Sequence, residues 1–172
     1  MKILEFVTKI MCMSDDVWLR HANPWSVWTR IPSIFVLVLA FWSRIWIGLY
    51  FIIPVSIVLL WAWLNPRIFP KPKSMDNWGG KGVFGEKIFT SQKKEKVNIP
   101  KHHIVAAYIT IIIIIIGSII LIYGLWILDL WITIAGTSIA FLGKMWFVDR
   151  MVWLHEDMKE TNPNYKKWLY KK

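Results

Sequence analysis

Apolar residues in this chain gather into long blocks. Residues 104–128 carry no charged side chain, and 130–148 carry one, Lys144, near an end. A third block, 45–64, is interrupted by Pro54. A fourth is unbroken only over 31–42 but reaches nineteen residues when counted from Pro24 to Trp42. A helix needs about twenty residues to cross the hydrocarbon, at about 1.5 Å rise per residue. Each block meets that length, with Arg30 close enough to an edge for its side chain to reach water. Pro54 reads as a kink that neighbouring helices can cover. The run IIIIII at 111–116 would suggest a strand in water. In a bilayer the backbone must satisfy itself, so helix wins. The pattern predicts an all-α fold: one membrane domain over 1–172, a bundle of four transmembrane helices in two hairpins, at 24–42, 45–64, 104–128 and 130–148.

Three polar segments complete the plan. Residues 1–22 read as an interfacial amphipathic segment, with Ile3, Val7, Ile10 and Met11 on one side. Glu5 and Lys9 interrupt that region too early for a signal peptide. Residues 65–103 form a loop expected to pack back against the bundle, and 149–172 a helix with a basic tail. Asn23 is placed to cap the first span with Pro24 at its first position. In WLNPRIFP the same dipeptide is expected to end the second, because the residue before proline disfavours helix.

Charge sets the orientation. Of 21 Lys and Arg, four lie before the first uninterrupted block, nine in 66–103 and seven from Lys144 onward, leaving only Arg44 in the first hairpin turn. The positive-inside rule therefore places both termini and the long loop in the cytoplasm of a multi-pass inner-membrane protein. Tryptophan agrees: Trp25, Trp28, Trp61, Trp63, Trp146 and Trp153 fall at the inner edge, and Trp42, Trp46, Trp126 and Trp131 at the outer one. The 56% apolar content and thirteen Trp fit the same class. The net charge of +10 is explained by topology, and without a nucleic-acid motif none is expected as a partner. Small residues recur at Thr110, Gly117 and Gly124, and again at Gly136, Ala140 and Gly143. These two seams are expected to face each other across a turn at Asp129.

Polar residues that carry chemistry gather on the cytoplasmic side. GGKGVFGE lacks the ending of a phosphate-binding loop, and no serine-hydrolase elbow is present. The single cysteine, Cys12, excludes a disulfide and thiol redox chemistry. Zinc needs three or four ligands. His102 and His103 with His155 are weak candidates lacking a His-x-x-x-His pair, so no metal and no cofactor are expected. Arg20, His21, Arg30, Arg67, Lys144 and Arg150 form a cation-biased inner face suited to an anion or a lipid headgroup. Asn23, Asn65, Glu86 and Asp149 read as structural polar residues. The plainer account of the whole set is an ion-pair network.

DDVWLRHANPWS at 15–26, NPRIFP at 65–70, GVFGE at 82–86 and DRMVWLHED at 149–157 together resemble a small prokaryotic membrane family without an assigned activity. The resemblance covers most of the chain and implies a shared four-helix membrane domain, leaving the function open. The expected role is a non-catalytic membrane module: an accessory or oligomeric subunit, or a binder of anionic headgroups. Its partners would be the bilayer itself and a second copy or another membrane protein. The alternative is an enzyme acting on a lipid-like substrate at the inner leaflet, with His21, Glu86, Asp149 or His155 as acid or base. A transporter ranks third, because the midplane is free of charge.

Overall fold

Capping and small-residue packing organise the chain more than helix propensity does. The computed structural model describes residues 10–95, 97–161 and 165, so the first nine residues of the amphipathic segment and most of the basic tail lie outside the described residues. The helices are α1 Asp15–His21, α2 Pro24–Arg30, α3 Ser33–Trp42, α4 Arg44–Ile47, α5 Ile52–Ile68, α6 Trp78–Glu95, α7 Lys101–Ile127 and α8 Leu130–Met158, with a 3-10 turn at Gly48–Phe51. Three stretches are long and apolar enough to cross a membrane: Pro24–Ile68, Lys101–Ile127 and Leu130–Met158.

The first stretch folds back on itself. Asn23 caps α2, accepting from the Trp25 amide at 2.9 Å, while its amide nitrogen donates to the Pro70 carbonyl at 2.9 Å. Ala40, Val55 and Val58 form the core between the legs. The reversal needs a positive φ at Gly48 (+55°), a conformation costly to any residue with a Cβ. At this tip Arg44 donates to the Trp126 carbonyl at 2.5 Å, bringing it to the end of α7.

Four expectations are corrected here. The first leg is not one helix, because Ile31 and Pro32 divide α2 from α3. The second leg's long helix starts at Ile52, so Pro54 lies in its first turn, where a missing N–H costs nothing. That helix also continues through Pro66 to Ile68. A proline so near the C-terminal end forfeits one ladder bond, and buried side-chain bonds from Asn65 hold the turn in place. Finally, 65–103 is no plain loop: it contains the eighteen-residue α6.

α7 and α8 form the tightest pair. Leu128 takes the left-handed conformation, and Asp129 caps α8 by accepting from the Ile132 amide at 2.8 Å. The two small-residue seams face each other as their spacing implies. A Cβ on Gly117 would stand 2.4 Å from the Ala140 nitrogen, so the backbones approach as only glycine permits. Buried Thr110, Thr133 and Thr137 donate to carbonyls four or three residues before them, so these three hydroxyls are paired within the apolar zone. Beyond it, α6 packs on the last turns of α8 around Ile88, Phe89, Phe147, Met151 and Leu154. A second core, of Trp18, Ala22, Val27, Met75, Val83 and Phe84, joins α1 and α2 to α6.

Candidate ligand-binding site

Where the two legs of the first stretch meet α6 and α8, a directional chain of hydrogen bonds runs from half-buried Thr29 inward to buried His21. Thr29 donates its hydroxyl proton to the Trp25 carbonyl at 2.6 Å, so its oxygen accepts from the Asn65 amide at 2.9 Å. That orients Asn65, whose carbonyl oxygen accepts from Ser26 at 2.7 Å. Ser26, its only proton spent, must accept from His21 Nδ1, 2.9 Å away. His21 therefore carries its proton on Nδ1 and presents a lone pair at Nε2, where Arg30 Nη1 lies at 3.3 Å. Burial, reinforced by the charges of Arg30 and Lys144, holds the imidazole well below its usual range and keeps it neutral. Two short helices and a proline-bearing helix end thus serve to aim one guanidinium.

Arg30 points into a cavity of 260 Å³ that His21, Glu86 and Lys144 also line. Its remaining walls are mostly apolar, including Trp18, Val27, Trp78, Phe141 and Met145. Glu86 reaches the cavity because α6 lies directly on the α8 backbone: a Cβ on Gly85 would stand 1.8 Å from the Met151 carbonyl oxygen. The spacing of GVFGE is therefore a packing device that carries Glu86 to Lys144. Their charged atoms are 3.7 Å apart, too far for a hydrogen bond, and Lys144 Nζ sits 4.9 Å above the Phe147 ring. With Arg30 and Lys144 positive, Glu86 negative and His21 neutral, the cavity carries one excess positive charge. A smaller polar anion with an apolar body fits that balance.

The other candidates lie elsewhere. Arg20 binds Asp16 at 2.7 Å. Arg67 donates to the carbonyls of Trp63 and Met11 and stacks over the Trp63 ring. Asp149 pairs with its neighbour Arg150 at 2.9 Å. His155 is fully buried against Phe84, with both ring nitrogens unpartnered among the described residues. His102 and His103 meet Asp157 at the start of α7. Of the sequence candidates, then, His21, Arg30, Glu86 and Lys144 share one cavity. Sequence reading missed Ser26 and Thr29, which look like ordinary helix residues until Asn65 arrives from 36 and 39 positions away. It also missed Lys81, which bridges Glu156 at 2.6 Å and Asp76 at 2.9 Å to fix α6 on α8.

Apolar helices of this length, bearing a polar-headed cavity at one end, are the build of an α-helical membrane protein. More narrowly, the chain belongs to a family of unknown function, DUF6653, whose model matches residues 3–168. No curated protein and no solved structure matches it.

Proposed function

We propose that the protein is a non-catalytic membrane module that holds the anionic headgroup of a lipid-like molecule at the cytoplasmic leaflet. In this reading the Pro24–Ile68 stretch crosses twice and the chain four times, with both termini inside. The basic ends and exposed Trp25, Trp28, Trp46, Trp126, Trp131 and Trp153 support that topology. The carrying observation is the cavity, where Arg30 and Lys144 converge beside a fixed neutral His21. A second cleft runs along the same pair of helices, α3 and α8, and is lined by Phe35, Leu39, Trp42, Ile134 and Thr137. Phe141, which lines the first, packs on Phe35, which lines the second, with 5.0 Å between ring centroids. A headgroup in the first and an acyl chain in the second would follow one crevice. Turnover is less well supported, because Arg30 occupies the nitrogen that an imidazole base would use.

Native mass spectrometry of the detergent-solubilised chain, exchanged against phosphatidylglycerol and phosphatidylcholine, tests this. Retention of one phosphatidylglycerol per chain, lost in Arg30→Gln and Lys144→Gln, is expected. Equal retention of both lipids, or retention indifferent to these substitutions, refutes it.

A further inference from the structure

We propose that His102, His103 and Asp157 form a divalent transition-metal site, suited to zinc, that clamps the start of α7 to the end of α8. Each residue offers one ligand atom, and these atoms all lie within 4.8 Å of one another. His103 Nε2 is 2.8 Å from Asp157 Oδ2, and His102 Nε2 is 3.9 Å from the same oxygen. Ligand atoms around a tetrahedral zinc stand about 3.3 Å apart, given bonds of about 2.0 Å. The two separations from Asp157 Oδ2 bracket that value.

The arrangement asks for an explanation that a salt bridge does not supply. Successive residues on a helix point about 100° apart. Here two successive imidazoles nonetheless turn to one carboxylate, with ring centroids 4.1 Å apart. Only His103 is within hydrogen-bond distance of that oxygen, so the approach of His102 to 3.9 Å is not a hydrogen bond. A metal ion would account for the convergence, because it can bind both rings together with the carboxylate. Two imidazoles and one carboxylate suit zinc, whereas calcium and magnesium demand more oxygen ligands. His103 is buried while His102 and Asp157 are exposed, which leaves the fourth position open to water. The ligands come from two helices, 54 positions apart in sequence. A bound ion would hold the last turns of α8, on which α6 rests.

The test uses the full chain with a histidine-free tag, solubilised in detergent, stripped by a chelator and titrated with zinc against a chromophoric competitor. One zinc per chain is expected, and cobalt substitution should give the intense visible absorption of a four-coordinate ion. His102→Ala keeps the His103–Asp157 bond, and hence the fold, but should weaken zinc by at least roughly 10–100-fold, the loss seen even for outer partners of a metal site. Asp157→Asn should do the same. Absence of saturable zinc binding overturns the proposal. So does an affinity unchanged in His102→Ala, which decides alone should Asp157→Asn fail to yield a single folded species. The lipid reading is untouched by either result, because these residues do not line its cavity.

Discussion

Gly85→Ala adds one methyl group and tests how α6 is mounted. Its Cβ would lie 1.8 Å from the Met151 carbonyl oxygen, with the carbonyl carbon at 2.5 Å. Contact distances for carbon begin near ~3.5 Å, so α6 must retreat by about 1.5 Å from a backbone that cannot rotate aside. Overpacking of this kind costs typically ~1–3 kcal/mol, and alanine's better helix propensity returns at most ~1 kcal/mol. Because the obstacle is backbone, the upper end applies and the net loss should be about 2 kcal/mol. For a chain of this size that lowers the melting temperature by about 4–8 °C. Gly79→Ala is the control, since its Cβ would meet only Val27 side-chain carbons at 3.1–3.2 Å. Thermal unfolding in detergent, followed by intrinsic tryptophan fluorescence, reads both. The retreat should also withdraw Glu86 from Lys144, so lipid retention should change in Gly85→Ala; Gly79 itself lines the cavity and serves as the control for the melt alone. A Gly85→Ala protein that melts at or above the parent temperature would show that α6 does not rest on α8 as described.

Two further outcomes follow from the chain of hydrogen bonds between Thr29 and His21. Asn65→Ala leaves the buried Ser26 hydroxyl without its acceptor and should cost about 1–3 kcal/mol in a thermal melt. The neutral His21 makes stability depend on pH. Its folded-state value lies well below the ordinary 6.5, so under mild acid the unfolded chain binds a proton that the folded one refuses. Stability is then full above pH 6.5 and declines as the pH falls below it, and melting temperatures from pH 7.5 to 5 should drop more steeply for the parent than for His21→Gln.

Local and periodic features were legible in the chain. Block lengths marked four apolar segments, because the hydrocarbon thickness converts directly into residue count; the structure joins the first two in the one stretch Pro24–Ile68, beside Lys101–Ile127 and Leu130–Met158. Asn23–Pro24 declared itself as a helix start, since a cap acts within three residues. The seams at Gly117 and Ala140 were readable because helical periodicity alone assigns them to a face. Tertiary structure decided whatever depended on a distant partner. Pro66 continues a helix because Ser26 and Thr29 hold Asn65, overriding a local preference that argues for a stop. α6 was hidden by Gly79, Gly80, Gly82 and Gly85, which weaken helix propensity but let the helix lie on α8. The cationic residues also looked equivalent in sequence. Folding spent Arg20 on Asp16 and Arg67 on backbone carbonyls, and it turned Arg30 and Lys144 toward one cavity. The chain determined that helices apolar and long enough to cross a membrane would form, because that is a sum over neighbours. Which charges remain available to a ligand is a matter of what each finally faces, and only the packed helices set that.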